Sequence, residues 1–290
     1  MKPTLHSTLA SRNCHERDQF IQFFEEDHKY VITNDPNNKY TSVTTWNHSH
    51  FPVFNANLII KNMMRGKNWK EGHKYWGLTA EEIKQQWSNN SSAVSGAGTD
   101  LHFEIECFMN NPDLESGHKG NKGYKHADLH EAYLQDPRAD EVIEWDYFIN
   151  FVKDHPELKP YRTEWTIYDE DLKISGSIDM IYENTDGTLS IYDWKRSKEI
   201  TRVNNFNKFA INKLICHMPD ANFWHYALQL NTYKRLIERK YGKTVTDLYL
   251  VRLHPDAEEK NYELIKLPDL TKEIDELFEE RVKEVNKENA

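Results

Sequence analysis

The sequence is poor in cysteine and contains no long apolar run. Its three cysteines, Cys14, Cys107 and Cys216, are widely separated and form no C-x-x-C pair, so neither a disulfide framework nor a zinc ribbon is indicated. Three cysteines cannot supply a four-cysteine iron–sulfur cluster, which excludes that cofactor. No stretch approaches the roughly 18 apolar residues of a membrane span, and the N-terminus lacks the apolar core of a signal peptide. We therefore expect a soluble intracellular protein, cytoplasmic or nuclear, with no membrane partner.

Positive charge is also in deficit. The 290 residues include 37 Lys and Arg against 47 Asp and Glu, which gives a formal net charge of -10. This balance argues against a protein that coats nucleic acid non-specifically, because such binding relies on basic side chains that neutralise phosphates. It does not exclude a nucleic-acid enzyme, since an active site that holds a divalent metal needs clustered carboxylates. A hydrophobic fraction of 38% is enough to form the core of one large domain or two smaller ones.

The order of predicted elements indicates an α/β fold. "HKYVIT" and "KYTSVTTW" predict two strands around the turn "NDPNN". Two helices follow, the second opening at a capping box between Thr79 and Glu82. After a small-residue linker, "NNSSAVSGAG", a new helix is predicted to begin at Thr99. A further helix, three strands, a helix, two strands and a polar terminal helix complete the chain, which predicts a mixed central β-sheet flanked by helices.

These elements predict three parts of the chain. Residues 1–97 form an N-terminal extension, a β-hairpin plus helices packed on the core. Residues 98–267 form the core itself, and residues 268–290 form the C-terminal helix.

One predicted hairpin carries an unusual set of charges. With Thr185-Asp186-Gly187 as a three-residue loop, Gly187 takes the left-handed position and Asp179 lies opposite Asp193. The two-residue period of a strand then places Lys195 on the same face as Asp193. A charge cluster on a solvated face is the simpler interpretation. The neighbouring residues are apolar, however, and two facing aspartates repel unless they share a cation, which favours a metal site.

Two helices can contribute further groups. His102 and Glu106 are four residues apart and share a face beside an apolar stripe, a spacing that suits the surroundings of a metal. Gln229 and Tyr233 share a face of the later helix in the same way. Taken alone, the first pair is explained equally well by a helical histidine whose hydrogen bonds are made within the protein. The second pair is explained equally well by an amphipathic helix with a half-exposed glutamine.

In order, the segments "GTDLHFEIE", "GSID", "DWK" and "QLNTY" resemble the motifs of the PD-(D/E)XK nuclease superfamily, specifically its RecB-like exonuclease branch. They correspond to the G-x-x-x-H-x-x-x-E helix, the G-x-x-D strand, the D-x-K strand and the Q-x-x-x-Y helix of that family. The resemblance covers residues 98–253 and leaves out the terminal helix. It implies a restriction-endonuclease-like core. The segment "KYTSVTT…FPVFN" is similar to the leader of viral and phage-type relatives, which points to a viral origin, and members without an iron–sulfur cluster match best.

The resemblance also implies roles for individual residues. It implies a Mg²⁺ or Mn²⁺ site whose ligands are His102, Asp179, Asp193 and the backbone carbonyl of Trp194. Lys195 would orient the attacking water and help to deprotonate it. Glu106 would hold a second metal or a water, and Gln229 and Tyr233 would contact the DNA end or support Lys195. Glu164 matches an acidic position that is common among relatives.

Substrate contact requires local positive charge, which three segments supply: residues 61–74, 118–126 and 195–209. Trp69, Tyr124 and Phe206 are interleaved with the basic residues, as expected where bases stack along a single strand. Solvated surface loops are the simpler interpretation of each segment. The third segment leaves the D-x-K strand directly, so we expect its basic residues to bind substrate: Lys195, Arg196, Lys198, Arg202 and Lys208.

The sequence therefore predicts a metal-dependent DNA exonuclease that acts on single-stranded or free DNA ends in replication, recombination or repair. It indicates no particular protein partner. Three alternatives stay open: a flap or junction endonuclease of the same fold, a catalytically inactive nucleic-acid-binding module, and a structural ion site with incidental basic loops.

Overall fold

The computed structural model describes residues 8–27, 29–111, 123–138 and 142–288. The helices are α1 (Thr8–Arg12), α2 (Val43–Ser49), α3 (Ala56–Arg65), α4 (Ala80–Met109), α5 (His126–Gln135), α6 (Ile143–Asp154), α7 (Asn222–Lys240) and α8 (Thr271–Glu288). The strands are β1 (Ile21–Phe24), β2 (Lys29–Ile32), β3 (Thr41–Ser42), β4 (Lys159–Asp169), β5 (Ile174–Glu183), β6 (Leu189–Lys195), β7 (Val245–Arg252) and β8 (Glu263–Lys266). No helix in these ranges combines the length and apolarity that crossing a membrane requires.

A six-stranded mixed sheet forms the centre of the molecule. Strand β5 is antiparallel to both β4 and β6, β6 pairs with β7 in parallel, and β8 pairs antiparallel with β7 at the edge. The short strand β3 pairs in parallel with the first residues of β5. Because Ile174 pairs with both β3 and β4, and Met180 with both β4 and β6, β3 and β6 lie along the same edge of β5. Along this edge, β3 pairs with residues 174–175 and β6 with residues 180–183, so residues 176–179 of β5 lie in the gap between β3 and β6.

Two hydrophobic cores cover the two faces of this sheet. On one face the buried side chains of the sheet pack against α2, α7 and α8, and on the other they pack against α4, α5 and α6. Successive residues of β6 alternate between the cores, with Ile191 in the first and Tyr192 and Trp194 in the second. The predicted mixed α/β fold class is confirmed. The predicted polar terminal helix is present as α8, and Ile274, Leu277 and Phe278 bury one of its faces in the first core.

In the N-terminal hairpin, the predicted strand "HKYVIT" pairs with an earlier segment and not with "KYTSVTTW". The hairpin is formed by β1 and β2, with Ile21 opposite Ile32. The prediction that "KYTSVTTW" is a strand is wrong beyond Ser42, which caps helix α2 by accepting a hydrogen bond from the Thr45 backbone N–H at 3.1 Å. A serine cap outweighs the β-branched composition that favours a strand here.

The predicted linker at "NNSSAVSGAG" is also wrong, as is a helix start at Thr99. Helix α4 runs without interruption for 30 residues from the capping box at Thr79 and Glu82, which is confirmed. The side chain of Thr99 donates to the Ser95 carbonyl inside this helix, at 3.1 Å. Helical hydrogen bonding tolerates the small residues of this stretch at a cost of about 1 kcal/mol for each glycine. The boundary between residues 97 and 98 falls inside α4, and the three-part division stays a prediction.

Candidate metal centre and catalytic cleft

The hairpin of β5 and β6 has the predicted register. Met180 pairs with Tyr192 and Glu183 with Leu189, and the pairing ends one residue before Asp179 and Asp193. The loop is closed by a hydrogen bond from the Gly187 N–H to the Asn184 carbonyl at 3.0 Å, and Gly187 has a φ of 82°. Only glycine takes this left-handed conformation without steric cost. The turn chemistry thus fixes the pairing of the two strands up to the residues next to the two aspartates.

Side chains of a regular strand point alternately to the two faces of the sheet, and this alternation is interrupted at Glu164 and Asp179. Ile178 packs in the core beneath α7 and Met180 in the core beneath α4, although residues two apart in a regular strand share a face. Opposite them in β4, Glu164 has a φ of 42°, a left-handed conformation that costs a non-glycine residue about 1–3 kcal/mol. Strain of this kind persists where the surrounding structure enforces it, and here it lies beside the carboxylate cluster.

Three ligand atoms converge at this irregularity. Those of His102, Glu164 and Asp179 all lie within 4.8 Å of one another. His102 Nε2 donates to the Trp194 carbonyl at 2.9 Å, and Nδ1 lies 3.5 Å from Asp179 Oδ2. In the neutral ring, Nδ1 then carries the lone pair that a metal can bind. The Trp194 carbonyl, predicted as a metal ligand, orients this histidine, and the Trp194 N–H donates to Asp179 Oδ2 at 3.1 Å.

The electrostatics of these carboxylates favour a cation. Burial, followed by the charge of Asp179, raises the pKa of Glu164 to about 8, although Ser177 donates to this carboxylate at 2.9 Å. Burial likewise raises the pKa of Asp193 to about 6, despite the opposing effect of Lys195. Crowded carboxylates whose charged forms are disfavoured, together with one imidazole, are a donor set that suits a hard divalent ion such as Mg²⁺ or Mn²⁺. The residues present therefore fit such an ion.

Asp193 and Lys195 form an ion pair beside this group. Lys195 Nζ lies 2.5 Å from Asp193 Oδ2, and both side chains are largely buried. Burial alone would lower the pKa of Lys195, but the charges of Asp193 and Asp179 raise it above its ordinary value, so the ammonium form is favoured. The same Nζ lies 4.8 Å from the ring centroid of Tyr226 in α7, a cation–π contact. No pattern in the sequence signals this contact of Tyr226 with Lys195.

Gln229 and Tyr233 lie together on the neighbouring face of α7. Gln229 Nε2 donates to the Tyr233 hydroxyl at 3.4 Å and to Thr44 Oγ1 at 3.3 Å. Tyr233 is buried and approaches Gly176 so closely that a Cβ there would lie 2.8 Å from its ring. Gly176, the glycine of the G-x-x-D segment, is therefore required for this approach.

A second tyrosine comes from the N-terminal hairpin. Burial raises the pKa of the Tyr30 hydroxyl, and the negative charges of Glu164 and Asp179 raise it further. Tyr30 lies in β2, more than a hundred residues before its neighbours in the site. No local pattern indicates a contact over that separation.

A cleft of about 260 Å³ opens beside these groups. One wall is α4, with Val94, Ser95, Gly98, Thr99 and His102, and the other consists of residues 194–197 and Tyr226. His102, Lys195 and Arg196 thus share one cavity.

The predicted substrate-binding residues occupy different environments. Arg196 lines the cleft and donates from Nε to the buried Glu144 carboxylate at 2.7 Å. Lys198, Arg202 and Lys208 lie in the exposed loop that follows β6. The stacking role predicted for Tyr124 is wrong, since this residue is buried and its hydroxyl donates to the Met109 carbonyl at 2.5 Å. Most of the basic segment 118–126 lies outside the described residues.

The structure thus brings some of the predicted site residues together and leaves others outside the group. His102 and Asp179 converge directly, and Glu164, whose role the resemblance leaves open, completes their group in place of Asp193. Glu106 lies one helical turn from His102, and its charge contributes to the raised pKa of Glu164. The ligand and catalytic roles of these residues stay predictions.

The chain is similar to a known protein family and to several solved structures. The sequence model of the PD-(D/E)XK nuclease superfamily matches residues 121–290, and the match includes the terminal helix that the motif resemblance left out. No curated protein matches the chain. Among solved structures, a "Putative exonuclease" from Eubacterium rectale is 14% identical, with 93% of this chain and 88% of that chain covered and a TM-score of 0.40. Since the family model spans more than half of the residues, this chain belongs to the PD-(D/E)XK nuclease superfamily.

Proposed function

We propose that this protein is a metal-dependent DNA exonuclease that hydrolyses phosphodiester bonds from single-stranded ends. One observation carries the proposal: the ligand atoms of His102, Glu164 and Asp179 lie within 4.8 Å of one another, beside the ion pair of Asp193 and Lys195. Nuclease activity follows from the superfamily, whereas the preference for DNA, for ends and for Mg²⁺ or Mn²⁺ belongs to the proposal.

The metal would be held by His102, Glu164 and Asp179, with Asp193 and the Trp194 carbonyl close by. When bound, it supplies the charge that lowers the pKa of a water and neutralises charge on the scissile phosphate. His102 is kept in the right tautomer by the Trp194 carbonyl. Asp179 is held by the Trp194 N–H at the point where β5 and β6 stop pairing.

Lys195 would act as a hydrogen-bond donor. Its ammonium form is favoured by Asp193, so its ready roles are to orient the attacking water and to stabilise negative charge on the phosphate. The help in deprotonating the water that the family implies would require Lys195 to lose its proton, which the surrounding carboxylates oppose. The ring of Tyr226 and the Asp193 carboxylate fix the position of its Nζ.

The substrate would enter along the cleft between α4 and the start of the loop after β6. Arg196 lies in the wall of this cleft, where its guanidinium can bind a phosphate. Gln229 and Tyr233 would support the strand end or the position of Lys195. A role in replication, recombination or repair is consistent with the removal of nucleotides from DNA ends.

The test is nucleotide release from end-labelled single-stranded DNA with Mg²⁺ or Mn²⁺. We expect mononucleotides or short products from linear DNA, none from circular single-stranded DNA of the same sequence, and slower release from RNA. Cleavage of circular DNA would indicate an endonuclease. Equal release by the wild type and Asp193→Ala would refute a catalytic role for this site.

A further inference from the structure

Residues 51–79 and the first half of α4 form an arm beside the catalytic cleft. Helix α3 packs on α4, and Ile60 of α3 and Ile83 of α4 are both buried. Between the helices, Trp87 Nε1 donates to the Tyr75 hydroxyl at 2.9 Å. The arm therefore has a small core of its own. Its second helix is the same α4 that carries His102, so one rigid element fixes the arm relative to the site.

The surface of this arm is both apolar and basic. Several large apolar side chains are exposed, namely Val53 (90%), Phe54 (70%), Leu58 (54%) and Trp76 (49%). Residues 51–79 contain five Lys or Arg and one acidic residue, in a chain whose net charge is -10. Among the described residues none of these five side chains has a carboxylate partner; they are Lys61, Arg65, Lys67, Lys70 and Lys74. Unpaired cations interleaved with exposed aromatic rings complement a single nucleic-acid strand, which offers phosphates and base faces.

One face of α4 joins this arm to the catalytic cleft. A groove of about 500 Å³ lies between Phe54 and α4, and the catalytic cleft lies further along the same helix. Six of the α4 residues that line the two cavities recur at spacings of four and three, as one helix face requires: Lys84, Ser88, Ser91, Ser95, Gly98 and His102. We call this face the α4 track. From Lys84 to His102 it is about 27 Å long, which is about eight nucleotides of a stacked strand.

The opposite wall of the catalytic cleft leads into a second surface that is both apolar and basic. The loop after β6 also exposes large apolar side chains together with basic ones: Val203, Phe206, Phe209 and Ile211, with Lys198, Arg202, Lys208 and Lys213. The first residues of this loop, Arg196 and Ser197, line the catalytic cleft opposite α4, whereas Ile211 lines a separate cavity beside α2 and α8.

We propose that the arm and the α4 track bind a single nucleic-acid strand and lead its end to the site at His102. The inference rests on the proposed nuclease function for what happens to that end. The exposed aromatic side chains, chiefly Phe54 and Trp76, stack on bases, and the basic side chains contact phosphates. Recognition of this kind is tolerant of sequence, since every base has a face that can stack.

The test measures binding apart from hydrolysis. Fluorescence anisotropy with labelled oligo-dT of 16 nucleotides, in EDTA, is compared for the wild type, Phe54→Ala/Trp76→Ala and Lys61→Glu/Lys67→Glu. These four side chains are exposed, so the substitutions leave the fold intact, which circular dichroism checks. Matched controls are Phe24→Ala in β1 and Lys283→Glu/Lys287→Glu in α8, which are also exposed.

We expect each arm variant to bind at least tenfold more weakly than the wild type, and the controls to bind as the wild type does. The lysine pair should also reduce the slope of log K against log salt concentration by about 1.4, which is two phosphate contacts on a single strand. Unchanged affinity in the arm variants, or an equal loss in the controls, would overturn the proposal. Binding that depends on the arm, without nucleotide release when Mn²⁺ is added, would refute the nuclease function alone.

Discussion

Glu164 and Asp179 lie side by side on β4 and β5, at the position where the alternation of the sheet is interrupted and Glu164 adopts a φ of 42°. Their carboxylates and the His102 ring come within 4.8 Å of one another. The fold therefore uses a strained residue to bring two like charges together. This arrangement is stable only if the charge is reduced, by a proton or by a bound cation.

The first prediction concerns Glu164 and pH. Its pKa is raised from 4.5 to about 8 in the folded chain, mainly by burial. Between these values the folded state binds more protons than the unfolded state, so the metal-free protein loses stability as pH rises. Thermal unfolding in EDTA should show that Glu164→Gln is more stable than the wild type at pH 8, by about 4 kcal/mol, and close to it at pH 4.

Adding Mn²⁺ at pH 8 should raise the Tm of the wild type more than that of Glu164→Gln. Glu170 gives the opposite control: although partial burial opposes the effect, Arg17 and Lys240 lower the pKa of Glu170 to about 2. Glu170→Gln should therefore be less stable than the wild type at pH 8, with the difference shrinking as pH falls below 4.5. Parallel pH profiles for the wild type and Glu164→Gln would contradict this account of the cluster.

The second prediction concerns the buried pair of Asp193 and Lys195. Asp193→Ala leaves the ammonium group without its partner at 2.5 Å and should lower the free energy of unfolding by about 3 kcal/mol. The neutral double variant Asp193→Asn/Lys195→Met should recover most of that loss in urea unfolding, while remaining inactive. If the double variant regains activity together with stability, the pair is structural and not catalytic.

The third prediction uses two glycines. A Cβ at Gly176 would lie 2.8 Å from the Tyr233 ring and 3.1 Å from Val43 Cγ2. Gly176→Ala should therefore displace Tyr233, destabilise the protein by about 1–3 kcal/mol and reduce nuclease activity. At Gly96, inside α4, a Cβ meets no atom within 4 Å, so Gly96→Ala should instead stabilise by about 0.5–1 kcal/mol. Similar effects of the two substitutions in thermal unfolding would argue against the close approach of Tyr233.

The fourth prediction concerns Arg196, which lines the cleft and is bound to the buried Glu144. Arg196→Ala should raise KM about tenfold with a smaller change in kcat, because a phosphate contact is lost in both the ground and transition states. It should also destabilise the fold, since Glu144 loses its partner. Glu144→Gln/Arg196→Ala should restore stability without restoring KM. Recovery of both would assign Arg196 a structural role.

Local sequence patterns were sufficient for the hairpin that carries the site. The loop chemistry at Gly187 determines the register, whose last pair, Met180 with Tyr192, lies next to Asp179 and Asp193. The strand period then places Lys195 beside Asp193. The helical spacing of Gln229 and Tyr233 was informative for the same reason, because each of these relationships spans only a few residues.

Relationships over longer distances could not be predicted. Burial and the carboxylates raise the pKa of Tyr30, a residue of another hairpin, and Glu164 joins His102 and Asp179 through a backbone conformation that its neighbours in sequence do not signal. The continuity of α4 was missed because its serines and glycines are typical of a linker, while the packing of Ile83 at one end and Leu101 at the other holds the helix. Tertiary packing decides such cases against local propensity.

The central claim is that His102, Glu164 and Asp179 hold the ion on which nuclease activity depends. Its most direct test is a Mn²⁺ titration of nucleotide release from end-labelled linear single-stranded DNA, with the wild type and Asp179→Asn measured in parallel after both are shown to be folded. The account predicts saturable, Mn²⁺-dependent release by the wild type, none in EDTA, and a loss of at least a hundredfold in Asp179→Asn. Release that persists in EDTA, or equal release by Asp179→Asn, would contradict it.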